Sequence, residues 1–286
     1  FCMAKSKLPS IKDMILHLVK EINYHDDLYY NKNYQEIADQ DYDKLRKKLT
    51  NLENKYPEFK QSDSPSEKVG SIKKNDTKTF LHSSPMLSLN NAYTNSEVQQ
   101  FYEKVSASIA EDIKIVAETK VDGLSASLRY ENRKLVLALT RGDGAKGEDI
   151  TNNVLHITGV RKNLPAEFPK ELEIRGEVFM PKDVFANLND ERKNQGLNLF
   201  STPRNAAAGS VRQLNSSVTK SRKLGFFGYT IIEKENFFGD TIIDMRKKLE
   251  KYNFNLNKPA MLCNSLSDMM FFHKSVSNIR GKLNYD

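Results

Sequence analysis

The sequence predicts an α+β protein, in which a small N-terminal α-helical domain is followed by a larger domain with a largely antiparallel sheet. Two observations support this prediction. Apolar residues near the N-terminus recur at helical spacing, whereas after residue 112 short β-type runs are separated by Gly, Asp, Asn or Pro. At 286 residues, of which 38% are hydrophobic, the chain is long enough for one large or two smaller domains.

Two amphipathic helices are predicted at the N-terminus. Ser10 is a suitable cap for the first helix, and Asp13 follows in its first turn. The second helix is expected to begin at Asp39 and to end before Pro57. The apolar stripe of the first helix is Ile11, Met14, Ile15, Leu18, Val19 and Ile22, and that of the second is Tyr42, Leu45, Leu49 and Leu52.

A linker rich in Ser, Lys and Asp is predicted at residues 60–79, which divides the chain into domains 1–70 and 71–286. The second domain contains five predicted strands and two short predicted helices. The strands are Ile113–Lys120, Leu124–Tyr130, Leu135–Arg141, Leu172–Met180 and Leu224–Ile232, and the helices are Val184–Leu188 and Ile243–Tyr252.

The composition excludes several classes of protein. No apolar run approaches the roughly 20 residues of a membrane span, so no membrane partner is expected. Two distant cysteines, Cys2 and Cys263, exclude a disulfide scaffold, and the cytoplasm is the expected location. The net charge is +7, and residues 182–223 hold eight Lys or Arg against three Asp or Glu. This excess fits either an anionic partner or a solvated surface.

The segment from Glu118 to Gly123 is the sharpest chemical feature. Glu118 and Lys120 fall on one face of a predicted strand because side chains alternate along it. Lys120 is a candidate nucleophile before a turn made by Asp122 and Gly123, although a free lysine is protonated at neutral pH and needs an activating environment. A surface lysine before a β-turn fits the same four residues.

Three further segments could face a phosphate or a ribose. Arg141 opens a glycine-rich turn, Glu177 lies within a strand, and Arg204 and Arg212 flank a run of small residues. Each segment also has a purely structural alternative. Arg141 could belong to a simple hairpin turn, and Glu177 could form a cross-strand ion pair. The small residues between Arg204 and Arg212 could form a tightly packed helix start.

Together these segments resemble the adenylation region of bacterial NAD-dependent DNA ligases over nearly the whole chain. Each motif is weak alone, but their joint order and spacing are specific. The matching motifs are Tyr29-Tyr30, Asp39-Gln40-Asp41-Tyr42-Asp43, Pro85-Met86-Leu87-Ser88-Leu89, Lys120-Val121-Asp122-Gly123, Thr140-Arg141-Gly142-Asp143-Gly144, Arg175-Gly176-Glu177-Val178 and Pro203-Arg204-Asn205-Ala206-Ala207-Ala208-Gly209-Ser210.

The resemblance implies a fold and a reaction for the second domain. Residues 71–286 would form a nucleotidyltransferase domain with antiparallel sheets, similar to the ATP-grasp-like adenylation domain of DNA ligases. Lys120 would attack the α-phosphate of NAD, giving lysine-AMP and releasing nicotinamide mononucleotide (NMN). Asp122 would orient the lysine and its metal environment. The other residues implied to line the NAD site are Ser88, Leu89, Glu118 at the adenine, and Arg141 and Glu177 at the ribose.

The resemblance also implies that residues 1–70 bind the NMN half of NAD, because ATP-dependent ligases and capping enzymes lack this unit. The matching positions are Tyr29, Tyr30, Asp39, Tyr42 and Asp43. Aromatic faces suit the cationic nicotinamide ring. Relatives often have His at the position of Tyr30, which leaves the role of Tyr30 open. They often have proline at the position of Gln35, so the loop of this chain is predicted to be looser. A packed helix pair is the structural alternative for these tyrosines.

Partners follow from the same resemblance. Arg204 and Arg212 would contact DNA or nucleotide phosphates, and the complete enzyme would act on nicked double-stranded DNA in replication and repair. Mg²⁺, with Mn²⁺ as a substitute, would neutralise phosphate charge. We expect a monomer in the bacterial cytoplasm, associated with the nucleoid.

The family pattern continues beyond Asp286 with strands that carry two further lysines, so the adenylation domain is expected to be incomplete at its C-terminal end. Self-adenylation of this chain is therefore an open question. The alternatives are a non-catalytic fragment that binds nucleotide or DNA, an ATP-dependent DNA or RNA ligase, and an unrelated α+β binding protein.

Overall fold

The computed structural model describes residues 10–28, 36–37, 39–62, 64–66, 78–109 and 113–286, with the backbone alone at residues 39 and 40. Tyr29, Tyr30 and most of the predicted linker lie outside the described residues. The helices are α1 (Ile11–Asp26), α2 (Asp39–Lys55), α3 (Asn95–Ala107), α4 (Thr151–Val154), α5 (Lys182–Asn194), α6 (Pro203–Val211), α7 (Ser216–Ser221), α8 (Ile242–Lys251) and α9 (Leu266–Ile279). The strands are β1 (Thr79–Leu81), β2 (Ile115–Glu118), β3 (Leu124–Glu131), β4 (Lys134–Thr140), β5 (Lys146–Glu148), β6 (Leu172–Phe179), β7 (Gly225–Ile232) and β8 (Ala260–Cys263).

The N-terminal helices pack on each other through the predicted apolar stripes. Ser10 and Asp13 form a reciprocal capping box at the start of α1, as expected from the sequence. The small core shared by α1 and α2 contains Ile15, Leu18, Val19, Ile22 and Leu49. Since α2 is strongly polar elsewhere, this stripe is what holds the pair together.

The centre of the larger domain is a four-stranded sheet in the order β4-β3-β6-β7. Its strand pairs are all antiparallel, as predicted. β6 lies inside the sheet and is buried along its whole length. Ile174 and Val178 join the main hydrophobic core, whereas Glu173, Arg175 and Glu177 face the other way, because side chains alternate along a strand.

Helix α6 packs against β3 and β6 through its small residues. Thr202 caps the helix by accepting a hydrogen bond from the amide of Asn205, and Pro203 occupies the first turn. Ala206 and Ala207 are completely buried, so the helix lies close to the sheet and brings Arg204 to its edge.

Two short antiparallel pairs complete the architecture. β1 pairs with β5, and β2 pairs with β8, so that Glu118 lies opposite Ala260. The structure confirms the α+β prediction. Among the described residues, no helix combines the length and apolar character needed to cross a membrane.

Candidate functional site

Lys120 lies just beyond the end of β2 and is exposed. The turn that follows it is pressed against the central sheet at Gly123. A Cβ atom on Gly123 would lie 2.1 Å from the carbonyl oxygen of Val178, so only glycine fits here without a shift. The turn and β6 are therefore in direct contact, which fixes Lys120 near the polar face of β6.

Glu118 is anchored from behind by helix α8. Its carboxylate forms an ion pair with Arg246, whose guanidinium also donates to the side chain and backbone oxygens of Asn257 at 3.0 and 2.8 Å. Asn257 in turn donates to the carbonyl oxygen of Thr119 at 2.5 Å. Burial raises the pKa of Glu118, while the charge of Arg246 and a hydrogen bond from Asn257 act in the opposite direction.

Asp122 and Arg204 join the Lys120 turn to helix α6. The guanidinium of Arg204 donates to Oδ1 of Asp122 at 2.7 Å. The amide of Asp122 donates to the carbonyl oxygen of Asp286, also at 2.7 Å. The turn is thus held on both sides while the Asp122 side chain stays 36% exposed.

Glu177 is the buried acid of the site. It lies on β6 opposite Ser125 of β3, which donates to its carboxylate at 2.8 Å. Burial raises the pKa of Glu177, and Asp122 adds to this effect, whereas Ser125 and the charges of Lys120 and Arg204 oppose it. The charges of Lys120, Asp122 and Arg204 therefore all act on Glu177, although three separate segments of the sequence supply these four residues.

Arg141 and Ser88 are joined by a hydrogen bond beside the glycine-rich turn. The glycine-rich turn after β4 is held by hydrogen bonds from the amides of His82 and Met86 to Ala145 and Gly144. Arg141 donates to the Ser88 hydroxyl at 3.4 Å, and both Ser88 and Leu89 are exposed.

Residues 83–85, which precede Ser88, are fixed by Arg175. Its guanidinium donates to the carbonyl oxygens of Ser84 and Pro85 at 2.6 and 3.0 Å and pairs with Glu173 at 2.8 Å. Although burial raises the pKa of Glu173, hydrogen bonds from Ser83 and Arg175 leave it below the usual value. Arg175 thus serves as a structural anchor.

Arg212 lies at the C-terminal end of α6, where it pairs with a buried acid. Its Nε atom donates to Glu148 of β5 at 2.7 Å, and the side chains are 21% and 6% exposed. Its predicted contact with phosphate stays a prediction, because the described contact is with a carboxylate.

In the helical unit, two of the predicted NMN-binding residues have described side chains. The hydroxyl of Tyr42 donates to Asp26 at 2.5 Å, and burial raises the pKa of Tyr42. The ring packs against the α1–α2 core, so Tyr42 also contributes to the packing of the helix pair. Asp43 instead faces the second domain, where it accepts a hydrogen bond from Tyr93 at 3.2 Å.

Residues 74–286 match the family described as the NAD-dependent DNA ligase adenylation domain, and residues 8–70 match the DNA ligase-like, N-terminal NAD+-binding domain. The chain belongs to the NAD-dependent DNA ligase family.

Similar proteins named DNA ligase are found across several bacteria. One from Fervidobacterium nodosum is 42% identical over 96% of this chain, and one from Thermotoga petrophila is 39% identical over 99%. A third, from Bartonella tribocorum, is 40% identical over 94% of the chain. The alignments cover 40%, 41% and 38% of these relatives, so this ligase-family chain spans about two fifths of their length.

Asp122 is a partly exposed carboxylate close to Lys120 in this ligase-family chain, and it pairs with Arg204. Within the described ranges, no group of three or more His, Cys, Asp or Glu side chains forms a closed metal site. Mg²⁺ does not need one, because it is usually bound by one or two carboxylates together with waters and substrate phosphates. The partly exposed Asp122 suits this mode.

Several site residues of this ligase-family chain were missed by the sequence analysis. Tyr229 of β7 is half-buried beside Glu177 and Ser125, and burial together with the charge of Glu177 raises its pKa. Arg246 and Asn257 hold Glu118, as described above. No local pattern marks these residues, because they reach the site through the pairing of β6 with β7 and the packing of α8.

Proposed function

We propose that this chain is the adenylation part of an NAD-dependent DNA ligase. In this reaction Nζ of Lys120 attacks the α-phosphorus of NAD. A P–N bond forms, the bond from phosphorus to the oxygen of NMN breaks, and the amine gives up a proton. The products are a lysine-AMP phosphoramidate and free NMN. In the complete enzyme the AMP would pass to the 5′-phosphate of nicked DNA.

One observation carries this proposal. Lys120 is exposed at a strand end and lies within electrostatic range of the buried carboxylate of Glu177. A lysine so placed can reach a phosphate in solvent while a fixed acid lies beside it to receive the ribose hydroxyls. This is the arrangement expected for covalent catalysis by a positioned nucleophile.

The surrounding residues receive distinct roles in this proposal. Glu177 holds the ribose, and Glu118 accepts a hydrogen bond from the adenine amino group. Arg141 and Ser88 contact the nucleotide from the opposite side. Tyr229 supplies an aromatic face near Glu177. Mg²⁺, when bound, would neutralise charge on the NAD phosphates, with Asp122 as its protein ligand.

The helical unit supports the choice of NAD over ATP. Asp43, one of the residues predicted to bind NMN, accepts a hydrogen bond from Tyr93 of the second domain, so its carboxylate lies close to that domain. A carboxylate there suits a cationic nicotinamide ring, which ATP lacks.

The test is the stoichiometry of NMN release. The chain is incubated with NAD and Mg²⁺, or with ATP and Mg²⁺, and the products are separated by chromatography. We expect about one NMN per chain from NAD and no pyrophosphate from ATP. Pyrophosphate release from ATP would contradict the assignment of the donor. NAD bound in calorimetry without any NMN release would instead favour the non-catalytic alternative.

A further inference from the structure

Arg246, which pairs with Glu118, is a buried residue that the proposed reaction does not use directly. Arg246 is 7% exposed, whereas the Glu118 side chain is 31% exposed. The pair therefore has a sealed side, formed by the guanidinium and Asn257, and an open side, where Glu118 reaches solvent. A carboxylate has about four lone-pair positions, so one held from behind can still accept a hydrogen bond from a ligand in front.

Arg246 is rigidly placed by its own contacts. It donates to two oxygens of Asn257 in addition to Glu118, and Asn257 holds the backbone of Thr119 next to Lys120. Glu118 is consequently fixed both in orientation and in position along β2.

The charge of Glu118 decides which nucleobase it accepts. An ionised carboxylate can only accept hydrogen bonds, so it pairs with the exocyclic amino group of adenine and repels the carbonyl oxygen of hypoxanthine. A protonated carboxyl can donate, and it would tolerate hypoxanthine at the same place. Burial favours the protonated form and Arg246 opposes it.

We infer that Arg246 is a specificity-positioning residue, which keeps Glu118 ionised and oriented so that the site selects a 6-amino over a 6-oxo purine. This inference rests on the proposed function, in which Glu118 meets the adenine of NAD. Arg246 does not touch the nucleotide and acts only through Glu118.

Other charged groups near the pair do not replace Arg246. Lys120 lies two residues along the chain from Glu118, and its charge acts on Glu177. Lys258 and Glu250 line the groove beside α8, where they pair with each other at 2.9 Å. Lys247 lines the same groove and is exposed, so its charge is screened by solvent.

The test compares NAD with nicotinamide hypoxanthine dinucleotide, whose base differs at this one position. The rate of nucleotide transfer to the chain is measured for both compounds between about pH 6 and pH 8, below the range in which hypoxanthine itself loses a proton. The rates are compared for the parent, Arg246→Gln and Lys247→Gln. Lys247→Gln is the control, because it also removes one positive charge from the same helix.

We expect the parent and Lys247→Gln to prefer NAD at every pH in this range. In Arg246→Gln the preference should fall about tenfold near pH 6 and recover towards pH 8, because Glu118 regains its charge as the pH rises. A merely structural role would lower both rates together with no pH dependence of their ratio.

A second comparison covers the case in which Arg246→Gln does not fold. Glu118→Gln removes the carboxylate of the pair, so the double variant Glu118→Gln with Arg246→Gln leaves neither charge of the pair without its partner. Adding Arg246→Gln to Glu118→Gln should leave the base preference unchanged. A further loss of preference in the double variant, or an unchanged preference in Arg246→Gln at every pH, overturns the inference while the proposed function stands. A parent chain with no preference between the two compounds instead refutes the placement of adenine at Glu118.

Discussion

At the scale of single residues, the site combines an exposed base with a buried acid. Lys120 is open to solvent, whereas Glu177 is 6% exposed and is held by Ser125. Among the residues that the structure describes, no cation pairs with Glu177 at hydrogen-bond distance. A buried carboxyl of this kind is a cost to the empty protein, and binding sites commonly contain such groups. The sequence identified both residues through their motifs, but their proximity depends on the contact of Gly123 with β6.

Replacing Glu177 by Gln should therefore stabilise the empty chain and weaken its reaction. Burial places the pKa of Glu177 above its usual value of 4.5, so the folded state binds more protons than the unfolded state just above that pH. The contribution of Glu177 to the stability of the parent therefore falls as the pH rises through this window, and Glu177→Gln lacks this contribution.

Thermal unfolding of the two chains at about pH 4 and at neutral pH measures this difference. The unfolding temperature of Glu177→Gln should exceed that of the parent by more at neutral pH than at about pH 4. Its rate of AMP transfer should fall about 10²-fold, because a fixed contact to the ribose is weakened. A variant that is less stable than the parent at neutral pH would contradict this account of Glu177.

At the scale of elements, the sequence predicted the central strands to within one or two residues. β2 is shorter than predicted, because Thr119 and Lys120 leave the strand for the Gly123 turn. α5 runs on to Asn194 although its apolar pattern ends at Leu188, since Glu, Arg and Lys continue a helix well without apolar periodicity. α3 was not predicted, because none of its residues is buried and its core-facing stripe is therefore weak.

The contact between α6 and β5 lies beyond any local pattern. Arg212 was predicted at a phosphate from the small residues that it flanks and from the family resemblance. Its described partner is Glu148, 64 residues away in the chain. Pairings of this kind follow from the packing of elements, and sequence periodicity carries no information about them.

Breaking this pair should destabilise the fold. Arg212→Met leaves the carboxylate of Glu148 buried without its partner, which we expect to cost about 3 kcal/mol of unfolding free energy. The double variant Arg212→Met with Glu148→Gln should recover most of this loss, because no charge is then left buried. Urea titrations of the parent, both single variants and the double variant measure the coupling. If the losses of unfolding free energy in the two single variants add up to the loss in the double variant, the two side chains are not coupled and this account of the pair is wrong.

At the scale of the whole molecule, the helical unit and the second domain meet beside α3. Asp43 accepts from Tyr93, and Lys47 lies 3.6 Å from Glu97 and 5.1 Å from the centre of the Tyr93 ring. These contacts are exposed and few, so each is weak. The proposed function divides the ligand in the same way, with NMN at the helical unit and AMP at the second domain.

Asp43→Ala should therefore lower the affinity for NAD about tenfold and leave the affinity for AMP nearly unchanged. Asp41→Ala is the matched control, because Asp41 lies on the same helix and pairs only locally with Lys44 among its described contacts. Calorimetry with both ligands on the three chains tests the division. An equal loss of NAD and AMP affinity in Asp43→Ala would refute it.

The central claim is that Lys120 forms a covalent bond to AMP, and intact mass tests it most directly. The parent, Lys120→Ala and Lys114→Ala are each incubated with NAD and Mg²⁺, where Lys114 is an exposed lysine just before β2. We predict a gain of one AMP in the parent and in Lys114→Ala, and no gain in Lys120→Ala, which should remain folded. A gain of AMP that survives in Lys120→Ala would contradict the account.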